Sequence, residues 1–374
     1  MAYDVIVVGV GGMGSATLWQ LARRGLKVLG LERFDIPHGM GSSHGVTRII
    51  RLPYYESPAY VPLLRRAYAL WRELEAATGA RVLHTHGSLD AGPEGSRVFH
   101  GALDAARQHD LPHEVLTGAE INARFPGYRL PKDHLGLLQP EGGYVMSEKA
   151  IIAHVAAAHA AGAEIHARER VLRWEASGTG EGVTVTTDKG RYQAGRLVLT
   201  AGAWMADLAP LLADKAVPER QVLAWLQPSE PALFRPEVFP VFNLEVEEGR
   251  YYGFPEVEVP GFKFGRYHHL NETMPAEAMR RDVDAADEAL LRAFSARYFP
   301  AGNGPTMALR SCIFTNTPDE DFILDHHPAH PQVVLASPCS GHGYKFCSVI
   351  GEILADLSTD DGKTAHNIDF LRLR

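Results

Sequence analysis

The sequence predicts a mixed α/β fold in which a Rossmann-like domain is interleaved with a domain built on an antiparallel β-sheet. The first observation is an apolar strand, a glycine-rich turn, a helix and a second strand within residues 3–32. The second is a group of aromatic and β-branched runs between residues 221 and 268, which is typical of antiparallel strands. The third is the return of helix and buried-strand patterns after residue 280, so we expect the chain to cross between the domains more than once.

The glycines of the N-terminal segment have the spacing of a dinucleotide-binding turn. An almost wholly apolar run at residues 4–8 suits a strand buried on both faces. Gly9, Gly11 and Gly14 follow it in the pattern G-x-G-x-x-G. Gly9 permits a tight turn, Gly11 lets the backbone approach a pyrophosphate, and Gly14 lets the next helix pack closely on the strand.

The helix and strand after this turn complete the motif. Residues 15–24 have helical composition, and residues 28–31 form a second apolar strand that ends in Glu32. The positive end of the helix can bind phosphates, and the Glu32 carboxylate can accept hydrogen bonds from a ribose. Because an acidic residue disfavours a 2′-phosphate, the motif favours FAD or NAD over NADP.

Bulk composition excludes several classes of protein. The chain has 374 residues, 45% of them apolar and 22% charged, as expected for a globular protein of two domains. Its formal charge of −8 argues against nucleic acid or an anionic membrane as the main partner. No apolar run is long enough to span a bilayer, and the first strand leaves no room for a signal peptide. Three cysteines do not make a disulfide framework, so we expect a cytoplasmic protein.

The remaining segments divide the chain into two discontinuous domains. A glycine- and serine-rich loop at residues 33–45 leads into residues 47–51, where a helix would place Arg48 and Arg51 on one face. Helices are predicted at residues 61–77, 97–109, 118–125, 147–161 and 280–298, and a last one begins near residue 344. We assign residues 1–84, 146–215 and 305–374 to the nucleotide-binding domain, and residues 85–145 and 216–304 to the substrate domain.

Five segments along the chain are more distinctive than the general pattern. They are residues 4–32, Gly41-Ser-Ser-His-Gly-Val-Thr-Arg-Ile-Ile-Arg51, Tyr251-Tyr-Gly-Phe-Pro255, Ser311-Cys-Ile-Phe-Thr-Asn-Thr-Pro-Asp-Glu320 and Ser340-Gly-His-Gly-Tyr-Lys-Phe346. The last two are far more specific than a glycine fingerprint. Together the segments resemble the monomeric sarcosine oxidase and N-methyl-L-amino-acid oxidase family of FAD enzymes, within the glycine and D-amino-acid oxidase-like superfamily.

The resemblance implies that FAD is covalently bound, through a thioether between Cys312 and the 8α-methyl group of the flavin. Without this context a cysteine is more often a buried free thiol, which is what we expect of Cys339 and Cys347. The resemblance also implies a set of cofactor-binding residues: Gly9, Gly11, Gly12, Met13, Gly14, Glu32, Arg33, Ser43, His44, Thr47, Val171, Gly202, Gly341, Gly343 and Lys345.

The same resemblance implies roles for the residues around the substrate. Arg51 and Lys345 match the positions that hold the substrate carboxylate, as a two-pronged clamp and a point charge. Arg48 and Lys263 match cations placed against the flavin ring, where they favour the anion formed when oxygen accepts an electron. Tyr252 matches a residue at the amine end of the pocket.

Three positions depart from the family pattern. The motif Gly-Tyr-His reads Gly265-Arg-Tyr-His-His269 in this chain. We choose His268 for the site, with His269 and Tyr267 as alternatives. Phe314 stands where the sarcosine-type pattern has a tyrosine, and Asn243 replaces an apolar pocket residue. These departures leave the chemistry intact and put the side chain of the substrate in question.

The resemblance therefore implies a monomeric oxidase that acts on a small secondary-amine amino acid and O2 and produces hydrogen peroxide. Sarcosine would give glycine and formaldehyde. N-methyl-L-tryptophan or L-pipecolate is the alternative substrate. Two other classes of protein would share the fold. One is a flavin dehydrogenase with a different electron acceptor, and Lys263, at the position for oxygen, argues against it. The other is a non-catalytic FAD-binding subunit, which would not need to retain Arg51, Lys345 and Cys312 together.

Overall fold

A computed structural model describes residues 2–177, 182–359 and 362–374. The α-helices within these ranges are α1 (Gly12–Ala22), α2 (Val61–Thr78), α3 (Arg97–Gln108), α4 (Gly118–Arg124), α5 (Ser147–Ala160), α6 (Met205–Leu208), α7 (Ala285–Tyr298) and α8 (Cys347–Ser358). The strands are β1 (Tyr3–Val8), β2 (Val28–Leu31), β3 (Thr47–Ile50), β4 (Leu83–Thr85), β5 (Ser88–Gly92), β6 (Glu114–Thr117), β7 (Leu135–Gln139), β8 (Gly143–Met146), β9 (Glu164–His166), β10 (Val171–Ala176), β11 (Val183–Thr187), β12 (Arg191–Leu199), β13 (Val217–Leu226), β14 (Val241–Val246), β15 (Gly249–Phe254), β16 (Phe262–Arg266), β17 (Thr306–Asn316), β18 (Ile323–His327) and β19 (His330–Ser337).

The first sheet is the parallel core of the nucleotide-binding domain. Its strands run in the order β10-β11-β12-β1-β2-β9, with β19 beside β12 and β18 beside β19. The pairs that β1 makes with β12 and β2 are parallel, and so is that of β12 with β19. Apolar residues of α1, α2, α5 and α8 form one core with β1. Because helices cover this sheet, β1 and β2 are apolar along nearly their whole length.

The second sheet is almost entirely antiparallel and has two different faces. Its order is β17-β13-β16-β15-β14-β5-β7-β6, and only β14 and β5 pair in parallel. One face packs phenylalanines and tyrosines of the sheet against α7, for example Phe242 and Phe264 against Phe294 of the helix. Since side chains alternate along a strand, the register places the other face's side chains in rows. Asp90, Asn243 and Tyr252 lie in one such row, and Lys263 and Cys312 lie on the same face at other levels of the sheet.

The fold class and most of the predicted elements are confirmed. Among the described residues, β2 has the predicted bounds, and the helices α2, α3, α4 and α5 differ from their predicted bounds by one residue at the C-terminal end. The helix predicted from residue 280 begins later, at Ala285. Asp284 caps it by accepting hydrogen bonds from the N–H groups of Ala286 and Asp287.

Two segments of the chain differ in the structure from what the sequence suggested. Residues 47–50 form strand β3 rather than a helix, paired with β8 in a small third sheet that also contains β4. In a strand, residues three positions apart point to opposite faces, so Arg48 and Arg51 diverge. Strand β17, which the boundary predicted at residue 305 assigns to the nucleotide-binding domain, pairs with β13 in the second sheet.

The strands β5, β6 and β7 are found in the segment that the sequence showed only as mixed structure with two helices. They extend the second sheet beyond β14. None of the helices in the described ranges has the length and apolar character needed to cross a bilayer.

Candidate active site

A deep cleft lies between the carboxyl ends of the parallel strands and the face of the second sheet that carries Cys312, Lys263 and Tyr252. It contains about 1860 Å³ of space free of protein atoms, including its open part, which is ample for a dinucleotide and a small substrate. Of the predicted site residues, the lining contains Gly9, Gly11, Gly12, Met13, Glu32, Arg33, Ser43, Arg48, Val171, Gly202, Tyr252, Cys312, Gly341, Gly343 and Lys345. Gly14, His44, Thr47, Arg51, Lys263 and His268 lie outside the lining.

At one end of the cleft the glycine turn leads into α1. Gly9 has φ of +90°, and a Cβ atom there would lie 2.5 Å from the carbonyl oxygen of Thr200. A Cβ atom on Gly14 would lie 1.8 Å from the carbonyl oxygen of Gly9. The turn therefore requires glycine at both positions. It brings the N-terminus of α1, whose first N–H groups lack helical partners, to the wall of the cleft.

Glu32 lies at the end of β2 and is almost fully buried in the cleft wall. Its two carboxylate oxygens accept hydrogen bonds from the backbone N–H groups of Val10 at 2.8 Å and Phe34 at 2.9 Å. These contacts hold the carboxylate beside the glycine turn, at the place where a nucleotide-binding fold binds the ribose.

Cys312 lies on β17 in the cleft wall and is 3% exposed. Its Sγ atom is 3.8 Å from Nη2 of Arg48. Burial raises the pKa of the Cys312 thiol, but His44, Arg48 and the N–H group of Ile313 outweigh it and lower the pKa to about 6. Because the thiolate is the reactive form, this cysteine is activated, whereas burial raises the pKa of Cys339 to about 12.

Two cations lie near Cys312, Arg48 on β3 and Lys263 on β16. Arg48 donates hydrogen bonds to the carbonyl oxygens of Thr47 at 2.8 Å and Ser42 at 2.7 Å. Lys263 lies deeper, with Nζ donating to the carbonyl oxygens of Gly45 at 2.6 Å and Thr47 at 2.8 Å, and to Oγ1 of Thr47 at 3.0 Å. Burial lowers the pKa of Lys263 well below that of a free lysine, and the charge of Arg48 acts in the same direction.

Arg51 is fully buried and ion-paired with two carboxylates that the sequence did not single out. Its Nη2 donates to both oxygens of Glu56, at 3.1 and 2.9 Å, and its Nε donates to Asp90 at 3.1 Å. Burial raises the pKa of Glu56, but Arg51 outweighs it and lowers the pKa to about 2. Nη1 of Arg51 is buried and has no hydrogen-bond partner among the described residues.

Lys345 lies close to Arg51 and lines the cleft. Its Nζ atom donates to the carbonyl oxygen of His342 at 2.7 Å and to the hydroxyl oxygen of Tyr54 at 3.3 Å. Arg51 and Lys345 share the ring of Tyr54, with Cζ 4.6 Å and Nζ 5.1 Å from its centre. Burial, followed by the charge of Arg51, lowers the pKa of Lys345 to about 7.

His268, chosen from the sequence for the amine end of the pocket, does not line the cleft, whereas its alternative Tyr267 does. His268 has φ of +53° and turns away from the cleft, where its ring nitrogens lie 2.8 Å from Glu219 and 3.1 Å from Glu320. These hydrogen bonds raise its pKa to about 9. His269 is buried against Asp287 at 3.0 Å. Tyr267 packs edge-on against Tyr252, with ring centres 5.0 Å apart.

A chain of hydrogen bonds that the sequence did not predict links Tyr267 to Arg51. The hydroxyl of Tyr267 donates to Oδ1 of Asn243 at 3.4 Å, and Nδ2 of Asn243 donates to Oδ1 of Asp90 at 2.8 Å. Asp90 in turn accepts from Arg51. The sequence signal that could have identified Asp90 is its position as an acidic residue inside the short segment Ser88–Gly92, whose other residues suit a buried strand.

The residues of the cleft fit FAD. The glycine turn and helix N-terminus suit a pyrophosphate, and Glu32 suits a ribose. The cations Arg48 and Lys345 also line the cleft, and Arg48 lies beside Cys312. FAD is a two-electron acceptor that the protein must bind, orient and surround with suitable charges. No cluster of metal-binding side chains occurs within the part of the chain that the structure describes.

Comparison with known sequences gives a consistent result. A family model described as FAD dependent oxidoreductase, DAO, matches residues 4–357. Monomeric sarcosine oxidase of Streptomyces avermitilis is 42% identical over 374 residues, covering 98% of this chain and 96% of the relative. N-methyl-L-tryptophan oxidase of Yersinia pestis is 35% identical over 362 residues, covering 96% of each chain.

Solved structures agree with the sequence comparison. NikD, described as an unusual amino acid oxidase essential for nikkomycin biosynthesis, is 28% identical, with a TM-score of 0.86 over 100% of this chain and 98% of its own. Glycine oxidase from Geobacillus kaustophilus has the same fold, with a TM-score of 0.82 at 22% identity over 100% of this chain and 98% of its own. The chain therefore belongs to the DAO family of FAD-dependent oxidoreductases, which confirms the resemblance seen in its sequence.

Proposed function

We propose that this protein is a monomeric oxidase of secondary-amine amino acids, with sarcosine as the representative substrate. Sarcosine, O2 and H2O would give glycine, formaldehyde and H2O2. The observation that carries the proposal is the pair of cations Arg51 and Lys345, which pack against the same Tyr54 ring and of which Lys345 lines the cleft, an arrangement that suits a substrate carboxylate. The relatives named monomeric sarcosine oxidase, aligned over nearly the whole chain, support the same reading.

The chain's own residues would orient the substrate. Lys345 and Nη1 of Arg51 bind the carboxylate, and the rings of Tyr252 and Tyr267 surround the neighbouring amine. Partial desolvation and the positive charges of Arg48 and Lys345 in the cleft disfavour a charged ammonium, so they favour the neutral amine from which a hydride equivalent can leave. Bound FAD would supply the two-electron acceptor for that hydride equivalent, and oxygen would be the final acceptor of the electrons.

Cys312 is the attachment point that we propose for a covalent flavin. Its lowered pKa and its position in the cleft wall support this role. Arg48 would keep negative charge stable beside the cofactor, and Lys263 would do so where oxygen is reduced. Both cations are held by backbone carbonyl groups, so their positions are fixed before the reaction begins.

A substrate panel tests the proposal. We expect peroxide and formaldehyde from sarcosine, and little reaction with glycine, which lacks the N-methyl carbon. Higher kcat/KM for N-methyl-L-tryptophan or L-pipecolate would instead favour those substrates. Reduction of an artificial dye without oxygen consumption would identify a dehydrogenase and contradict the oxidase assignment.

The carboxylate clamp is tested with Arg51→Ala and Lys345→Ala. Loss of one partner of a charge-assisted contact in a closed site costs about 2–5 kcal/mol, so each variant should weaken carboxylate inhibitors at least about tenfold. Binding of an uncharged inhibitor of similar size should change little. Unchanged carboxylate binding in both variants would rule out the clamp.

A further inference from the structure

Arg250 is a cation beside the substrate end of the cleft that the proposed reaction leaves unused. It lies on β15, two residues before Tyr252, so the alternation of the strand points both side chains to the same face. Its Cζ atom lies 3.9 Å from the ring centre of Tyr267, which lines the cleft, and 5.6 Å from that of Tyr55. Arg250 is half-buried, so solvent and ligands can still reach it.

The guanidinium of Arg250 has no committed partner. It makes no side-chain hydrogen bond or ion pair within the part of the chain that the structure describes. Burial lowers the pKa of Arg250, but Tyr55 and Tyr267, followed by Glu320 and Glu56, outweigh it and raise the pKa. Both carboxylates already have cations of their own: Glu56 accepts from Arg51 at 2.9 Å, and Glu320 lies 3.1 Å from His268. Five donors on a planar group are therefore available to a ligand.

Arg51 and Arg250 lie near each other because they contact the same aromatic ring. Both guanidinium groups lie against the ring of Tyr55, with Cζ atoms 4.5 and 5.6 Å from its centre. Arg51 belongs to the proposed site for the α-carboxylate, so the shared Tyr55 ring places Arg250 next to that site. The polar neighbour Asn243, instead of an apolar residue, makes this part of the pocket suitable for a hydrophilic substituent.

We infer that Arg250 is a specificity-determining residue that binds a second anionic group, on the side chain of the substrate. This inference rests on the proposed function and makes N-methylated acidic amino acids, with a side-chain carboxylate two or three bonds from the α-carbon, preferred substrates. Tyr267 holds the guanidinium in place by stacking. The carboxylate replaces the water that the free guanidinium binds.

The test compares two substrates of the same shape, N-methyl-L-glutamate and N-methyl-L-glutamine. The wild-type enzyme should have a kcat/KM for the acid that exceeds that for the amide by about tenfold or more, as expected for a hydrogen-bonded charge pair. Arg250→Gln should abolish this preference while sarcosine turnover stays within about threefold. Arg250→Lys should retain part of it. A wild-type enzyme without the preference, or an Arg250→Gln variant that keeps it, would overturn the inference.

A binding measurement separates this inference from the proposed function. Calorimetry on the FAD-loaded protein compares glutarate with butyrate, and the wild type should bind the dicarboxylate at least about tenfold more tightly, with the difference lost in Arg250→Gln. Absence of peroxide with every substrate would overturn the proposed oxidase, and the glutarate result would still decide the role of Arg250. Equal binding of the two acids would contradict that role.

Discussion

The pKa values of individual residues in this cleft depend on charged groups from other segments of the chain. Cys312 would be an ordinary buried thiol without His44 and Arg48, which lower its pKa to about 6 in spite of burial. Cys339 has no such neighbours and its pKa is raised to about 12. The two thiols therefore form a natural pair for comparing an activated cysteine with an inert one.

We predict that only one of these cysteines retains the flavin. Acid precipitation of the wild-type protein should leave yellow colour in the pellet, and Cys312→Ala should release it to the supernatant. The matched control is Cys339→Ala, which should keep the colour in the pellet. Colour that stays with the Cys312→Ala protein would place the covalent bond elsewhere.

The charge of Lys345 makes carboxylate binding depend on pH. With a pKa of about 7, Lys345 is protonated below this pH and loses its charge above it. A bound anion favours the ammonium, so the pKa in the complex is higher than in the free site. The Kd of a carboxylate inhibitor should therefore rise above pH 7, by about tenfold for each pH unit until the pKa of the complex is reached.

Titrations of the flavin absorbance between about pH 6 and 9 would measure this effect. The neighbouring groups Glu56 and His342 have pKa values of about 2 and about 4, so neither changes its charge in this range. Lys345→Met should bind more weakly and without the rise. A wild-type Kd that is independent of pH would show that Lys345 does not sense the inhibitor's charge.

At the scale of elements, the close packing of β1 against α1 supports the cofactor site. A Cβ atom at position 14 would lie 1.8 Å from the carbonyl oxygen of Gly9 and 2.7 Å from Oγ1 of Thr200. We therefore predict that Gly14→Ala lowers the stability by about 1–3 kcal/mol or more and reduces the FAD content. Thermal unfolding and the ratio of flavin to protein absorbance measure both. Gly95→Ala, where a Cβ atom meets nothing within 4 Å, should match the wild type in both measurements.

Sequence patterns predict elements well where one physical signal dominates. The glycine turn and the amphipathic helix α2 are predicted because glycine spacing and helical periodicity are local properties. Strand β3 is mistaken for a helix because its four residues carry no period, and its pairing partner β8 is almost a hundred residues away. Strands β5 to β7 are missed for the same reason, since their stability comes from pairing with distant parts of the chain.

The same distinction applies to the site. Motifs identify Cys312, Arg48 and Lys345 because each lies in a distinctive local segment. Tyr267 replaces His268 at the cleft because one extra residue in the segment after Lys263 shifts the register, and a single sequence does not show which side chain then points inward. Glu56 and Asp90 are found only in three dimensions, because the fold brings their carboxylates to Arg51.

For the molecule as a whole, the cleft depends on how the second sheet meets the nucleotide-binding domain. Lys263 links the two, because its strand lies in the second sheet and its Nζ atom binds the carbonyl oxygens of Gly45 and Thr47 at the entry to β3. A cation at this junction is well placed to stabilise an anion formed from oxygen.

We predict that Lys263→Met separates the two halves of the catalytic cycle. Methionine preserves approximate length and apolar packing while it removes the charge. Anaerobic reduction by substrate should slow modestly, whereas reoxidation by air should slow by roughly 10²–10³, the effect of losing one preorganised charged group. Stopped-flow absorbance measures both steps, and Lys149→Met, at an exposed lysine of α5, is the control. If reoxidation is near the wild-type rate, oxygen is activated elsewhere, and Arg48 is the next residue to test.

The measurement that tests the central proposal most directly is the stoichiometry of a complete reaction. A known amount of sarcosine is exhausted in air-saturated buffer, and oxygen, peroxide, formaldehyde and glycine are each quantified. The proposed function predicts that one mole of oxygen is consumed for every mole of sarcosine, with one mole each of peroxide, formaldehyde and glycine produced. Sarcosine that remains unchanged, or that yields formaldehyde without consuming oxygen, would contradict the assignment as an oxidase.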